Sequence, residues 1–137
     1  MRVLLDTNII LDFLLERSPF FKDADNLFQA IASDQVEGYV TATTVTDIFY
    51  IVRKQTKSFE LATEAVSTTL SVLEVYPVNK SILEAALASN LKDFEDAVQL
   101  TCASFGSLEA IITRDAVGFA GASLAILSVT ELLKQLE

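Results

Sequence analysis

Short, mostly apolar runs alternate along this chain with longer stretches whose apolar residues recur at helical spacing, and this alternation restricts the fold more than any other feature. Val3-Leu4-Leu5, residues 36–40, residues 75–78, Ala110-Ile111-Ile112 and Leu124-Ala125-Ile126-Leu127 read as strands. Between them the spacing predicts a helix over about 8–16, stopped by Ser18-Pro19, and a second carrying Phe20, Ala24, Leu27, Phe28 and Ile31. Further helices are expected over 44–54, 59–73, 80–89 and 94–105, and from Thr130 onward. The fourth helix presents Ala62, Ala65, Val66, Thr69, Leu70 and Leu73 on one face. The helix over 94–105 places Phe94, Ala97, Val98, Thr101, Cys102 and Phe105 on one stripe. Strands buried on both faces lose polar alternation, so this pattern implies an α/β fold with a parallel sheet covered on both sides. Strand order stays open at this level.

Glycine (four) and proline (two) are too sparse to mark a linker, and no repeat or low-complexity tract is present, so residues 1–137 read as one domain. A chain near this length buries roughly 68–70% of its unfolded surface. The 51% hydrophobic content and mean hydropathy of +0.41 suit a well-filled core or a buried interface such as a homodimer. No apolar run reaches the roughly 18 residues of a membrane span. Asp6 also interrupts the apolar start before a signal-peptide core could form, so a cytoplasmic location is expected.

The chain has no histidine and one cysteine, Cys102. The commonest general base and the commonest zinc ligand are therefore missing, and a lone thiol makes no intrachain disulfide. Cys102 is expected in the core. Any chemistry must rest on carboxylates, hydroxyls or a hard metal ion. A net charge of −9 argues against a nonspecific nucleic-acid coat, whose affinity would rest on clustered cations. It does not argue against an enzyme acting on nucleic acid, because divalent cations held by acids reverse the field a phosphodiester meets.

Four aspartates stand out by position. Asp6 ends the first strand and Asp115 follows Ile111-Ile112, so both fall at carboxyl ends of strands, where open α/β sheets bind ligands. Asp47 and Asp96 fall in the first turns of expected helices, in Thr44-Val45-Thr46-Asp47 and Asp93-Phe94-Glu95-Asp96. Each motif also has an ordinary reading. Asp6-Thr7-Asn8 is a good helix cap, the other two resemble capping boxes, and Thr113-Arg114-Asp115 suits a turn. Four carboxylates gathered together repel, and a divalent ion relieves that repulsion. An all-oxygen set without His or Cys selects Mg²⁺ or Mn²⁺ over Zn²⁺.

Taken in order, Val-Leu-Leu-Asp-Thr-Asn, the acid in Thr44-Val45-Thr46-Asp47-Ile48, Asp93-Phe94-Glu95-Asp96-Ala97 and Ile111-Ile112-Thr113-Arg114-Asp115 resemble the PIN-domain family. The likeness runs from residue 2 to about 119. It implies a Rossmann-like α/β/α sandwich, Mg²⁺- or Mn²⁺-dependent cleavage of RNA and frequent homodimerisation. Many bacterial members are VapC-like toxin ribonucleases, held in check by a small antitoxin protein. Carried over, Asp6, Asp47, Asp96 and Asp115 match the family's acidic positions, Asp93 an additional acid, and Asn8 and Thr113 supporting polar positions. Asp47 stands where the family commonly has Glu, one methylene longer. Arg17, Lys92 and Arg114 fall nearer the proposed site and are candidates to contact RNA phosphates. Arg53, Lys54 and Lys57 read as a solvated helix end, and Asp12, four residues after Asn8, as a solvated surface acid. Two other readings stay open: a noncatalytic module on the same scaffold, and an aspartyl phosphotransfer protein using Asp6.

Overall fold

The computed structural model describes residues 1–137. Strands β1 (Arg2–Leu5), β2 (Glu37–Thr41), β3 (Glu74–Tyr76), β4 (Ala110–Ile112) and β5 (Ala125–Leu127) form one sheet. Its order is β3-β2-β1-β4-β5, and every pairing is parallel. The helices are α1 (Thr7–Leu14), α2 (Phe21–Ala32), α3 (Ala42–Thr56), α4 (Phe59–Val72), α5 (Lys80–Ala88), α6 (Phe94–Phe105) and α7 (Val129–Gln135). A single 3₁₀ turn, Ala116–Phe119, follows β4; the sequence pattern gave no sign of it.

Successive residues of a strand point to opposite faces, and the core divides accordingly. Val3, Leu5, Ala110 and Ile112 join Ile9, Ile10, Leu27, Ile48 and Leu132 on one side of the sheet. Leu4 and Ile111 pack on the other side with Ala103, Leu108 and Phe119. A separate cluster of Ile82, Ala86, Ala97, Val98 and Cys102 joins α5 to α6, and Cys102 is fully buried as expected. Burial pushes its thiol up to about 11, which keeps it an inert core residue. The helix faces are less regular than their spacing implies. Leu70, Phe94 and Phe105 are each about half exposed or more, while Gln99 and Ala103 are buried on α6.

Helix starts follow local chemistry. Thr41, Ser58, Asn79, Asp93 and Ser128 each cap a helix, accepting from the backbone N–H three residues on. Thr41 is the last residue of β2, so α3 begins at once after its strand. No helix is long and apolar enough to cross a membrane.

Ile48 is fully buried in the larger cluster, between α3 and the sheet. Ile48→Ala is expected to lower stability by about 2–5 kcal/mol, read as a lower urea midpoint at unchanged slope. A loss below about 1 kcal/mol would contradict tight packing of that face.

Candidate active site

Connections leave β1 toward β2 and β3 on one side of the sheet, and leave β4 toward β5 on the other. The crevice at a reversal of this kind, beyond the carboxyl ends of the two central strands, is where doubly wound sheets bind ligands. Asp6 follows β1 and Thr113-Arg114-Asp115 follow β4, so both segments open onto that crevice.

Asp6 caps α1. Its Oδ1 accepts from the Thr7 backbone N–H at 2.7 Å and from Gln99 Nε2 at 3.1 Å, and its Oδ2 accepts from Thr113 Oγ1 at 2.7 Å. The Thr113 oxygen in turn accepts from the Asp115 backbone N–H at 2.9 Å. One hydroxyl therefore couples the first acid to the backbone of the last. Gln99 is wholly buried, and its Oε1 has no protein partner. Its amide must face Asp6 through nitrogen, since two oxygens there would repel.

Asp96 lies in the first turn of α6, as expected. Asp93 caps that helix, accepting from the Asp96 N–H at 3.0 Å, and Asp96 makes no return bond, so its carboxylate is free of capping duty. A Cβ added at Gly118 would meet Asp96 Oδ2 at 2.6 Å and Asp115 Oδ2 at 3.3 Å. The glycine thus lets the 3₁₀ turn close over two carboxylates. Asp47 departs from expectation. Because Thr41 caps α3, Asp47 sits in the second turn, and the capping box read into Thr44 to Asp47 does not form.

Glu95, absent from the expected set, joins the same cluster: its Oε1 accepts from Thr7 Oγ1 at 2.8 Å. Thr7 Oγ1 also lies 3.1 Å from Thr44 Oγ1, which lies 3.0 Å from Thr41 Oγ1. This chain of hydroxyls ties α1, α3 and α6 together beneath the acids. A signal for Glu95 was available, since it neighbours Asp96 on the same first helical turn. Nothing local pointed to Gln99.

The carboxyl groups perturb one another. Asp96 is pushed up to about 6, chiefly by loss of hydration and then by Asp93, Asp6, Asp115 and Glu95. Glu95 is raised by loss of hydration and by Asp47, Asp6 and Asp93, against the lowering effect of the Thr7 hydroxyl. Asp47 is raised by loss of hydration. No cation neutralises them, because both ion pairs of the chain fall on Asp12. No three acids stand close enough to hold one ion together. The donor set is nonetheless all oxygen, negative and without a cation partner, which fits a divalent cation.

Asp12 corrects the sequence reading. It is buried, with 1% of its surface exposed, and binds Arg17 and Arg114. Those two arginines are therefore anchored rather than free. Asn8 is exposed at the rim, where its Oδ1 accepts from Arg17 Nη2 at 3.2 Å, and Lys92 is exposed just before α6. Arg53, Lys54 and Lys57 lie exposed at the end of α3, as expected.

A family model described as PIN domain matches residues 2–116. No curated protein matches the chain. Among solved structures, a toxin–antitoxin complex from Klebsiella pneumoniae is similar at 23% identity and a TM-score of 0.70, over 93% of this chain and 97% of that one. VapC20 of Mycobacterium tuberculosis, described as a Sarcin-Ricin loop cleaving toxin, is similar at 14% identity and 0.70, over 88% and 95% of the two chains. VapBC2 of Rickettsia felis, bound to a promoter DNA fragment, is similar at 13% identity and 0.66, over 93% and 98%. These likenesses carry the α/β/α fold.

The raised carboxyls have a consequence for stability. Folded Asp96 titrates near 6 and an unfolded aspartate near 3.9. The folded state thus binds the extra proton, and stability is lost as pH rises between those values. Asp47 and Glu95 act in the same direction. In thermal unfolding without added metal, Asp96→Asn is expected to raise Tm by roughly 2–4 °C at pH 7.5 after allowance for solvent screening. The gain should shrink at pH 4.5, and an equal gain at both values would contradict the shift.

Proposed function

The chain belongs to the PIN-domain family, and we propose that it is a divalent-metal-dependent endoribonuclease, hydrolysing phosphodiester bonds at the acids between β1 and β4. The observation that carries this reading is a cluster of Asp6, Asp47, Asp93, Glu95, Asp96 and Asp115 with no cation partner, in a chain without histidine. Membership of the family supports a nuclease.

In this reading Asp6, Asp96 and Asp115 would hold Mg²⁺ or Mn²⁺, with Asp47 and Asp93 beside them. A bound divalent ion supplies positive charge to the phosphodiester and acidity to a water. The protein's own groups do the rest. Thr113 and Gln99 hold the Asp6 carboxylate in one orientation from either side. Thr7 fixes Glu95, which extends further than Asp47 from a different helix and adds negative charge next to it. Near pH 6 Asp96 carries a proton part of the time, and only its carboxylate form would bind a cation, so metal affinity is expected to weaken below that pH. Asn8 on the first turn of α1 and Lys92 just before α6 are exposed, which supports a role for Asn8 toward substrate and for Lys92 toward an RNA phosphate. Arg17 and Arg114 reach RNA only through the guanidinium edges that Asp12 leaves uncovered.

The same reading makes the chain a cytoplasmic toxin with a small antitoxin. The neighbours described as toxin–antitoxin assemblies support it. So does an apolar groove of about 500 Å³ lined by Phe13, Leu14, Phe21, Val52, Leu61 and Ala65. A homodimer is supported by exposed Leu83, Leu87, Phe94 and Phe105 on α5 and α6.

Single-stranded RNA cleavage should require Mg²⁺ or Mn²⁺, stop in EDTA and fall about 100-fold or more in Asp96→Asn. Gly118→Ala, which forces Asp96 and the 3₁₀ turn apart, should lower kcat about 10- to 100-fold. Cleavage that survives both EDTA and Asp96→Asn would overturn the mechanism. Failure to cleave any RNA with either metal would leave a noncatalytic module as the better reading.

A further inference from the structure

Asp12 is the only charged side chain buried in the chain. It lies on α1 six residues beyond Asp6, about 9 Å along the helix axis. Its Oδ1 accepts from Arg17 Nε at 2.9 Å and from Arg114 Nη2 at 3.2 Å, and its Oδ2 from Arg114 Nε at 2.8 Å. The Arg114 guanidinium also covers the Phe20 ring, 3.8 Å from its centroid. Arg17 Nη2 donates to the backbone oxygen and to Oδ1 of Asn8, both at 3.2 Å.

We propose that Asp12 is a positioning residue for the carboxylate site, fixing the segment that presents Asp115 through Arg114, and Asn8 through Arg17. This rests on the nuclease reading above and adds to it a residue outside the acids.

Thr113, Arg114 and Asp115 are consecutive. Thr113 fastens the segment to Asp6, at the start of α1. Arg114 fastens it to Asp12, farther along the same helix. Thr113 N–H also donates to the Leu127 oxygen at 2.9 Å; Arg114 is the first residue beyond that bond, and its hold on α1 fixes the direction in which the chain runs on to Asp115. Asp115 follows directly and accepts from Gly118 N–H at 3.4 Å, so the orientation passes to the 3₁₀ turn that closes on Asp96. The two-pronged contact of Arg114 fixes the plane of its guanidinium, which a lysine ammonium would not do. A buried ion pair is a poor source of stability compared with apolar packing, but it is strongly directional. Arg17 draws Asn8 to the same carboxylate, so the polar rim at the start of α1 is set by the group that sets the end of β4.

The test uses the full-length chain and the variants Asp12→Asn, Arg114→Lys and Arg17→Lys. Amide hydrogen exchange without metal reads the segment directly, and Mn²⁺ titration by calorimetry reads the site. Asp12→Asn and Arg114→Lys are expected to speed exchange over residues 113–119 while β1 and β2 stay protected. Both should weaken Mn²⁺ binding about 10- to 100-fold, as loss of a partner supporting a metal ligand does. Arg17→Lys should alter exchange around Asn8 and leave 113–119 protected.

Should Asp12→Asn fail to fold, Arg114→Lys carries the test, since it keeps the charge and removes the two-pronged geometry together with the flat contact on Phe20. Exchange over 113–119 within twofold of the parent chain would overturn the proposal. Faster exchange with unchanged Mn²⁺ affinity would overturn it too, leaving Asp12 a purely structural ion pair. Uniformly faster exchange across the sheet would do the same. If the parent chain binds no Mn²⁺, the nuclease reading fails on its own, and the exchange pattern still decides whether Asp12 fixes the segment.

Discussion

Leu5 pairs with Ile112 across two parallel strands, and one step further along each strand stand Asp6 and Thr113. The rest of the site depends on that register. It brings the Thr113 hydroxyl within 2.7 Å of the Asp6 carboxylate and continues the ladder through the Asp6 N–H to Ile112 oxygen bond at 2.9 Å. A slip of β1 by one residue would turn Leu5 from one core cluster toward the other, and every side chain of that strand would change face. Apolar packing on both faces therefore fixes the position of the acids, which would not assemble by mutual attraction.

The gathered acids cost stability, and hydroxyl and amide groups set how they are arranged. Thr7, Thr41, Thr44 and Thr113 are all buried, and each is bonded within the network below the carboxylates. Uncharged groups orient an acid without neutralising it, so the negative field at the crevice stays intact. The arginines nearest the site are instead spent on Asp12. Cation and acid are thus kept apart within a few residues of one another.

Element positions were readable because apolar spacing and capping residues act locally. The helix over 94–105 and the strand Ala110–Ile112 lie where the pattern places them, and most other boundaries move by one or two residues. Asp6 and Asp115 stand out in the sequence by neighbouring strand ends, while Asp96, at a helix start, and Asp93 rest more on the family resemblance. Asp12 was misread because Arg114, which grips both its oxygens, is 102 residues away in the chain, and Arg17 five residues on does not by itself mark an acid as buried. Gln99 was missed for a similar reason: its partner Asp6 is 93 residues away. Strand order depends on which crossover packs where, and no local spacing records that.

The sheet ends on both sides in strands of only three residues, β3 and β5. Pro77 follows β3 immediately and cannot donate to a neighbouring ladder. Edges this short offer few free backbone groups for a further strand to pair with. Two copies meeting edge to edge would gain little, so extended β-type aggregation is disfavoured by the architecture itself. Association is left to the helical faces, where side-chain shape can select a partner in a way that a repeating backbone edge cannot.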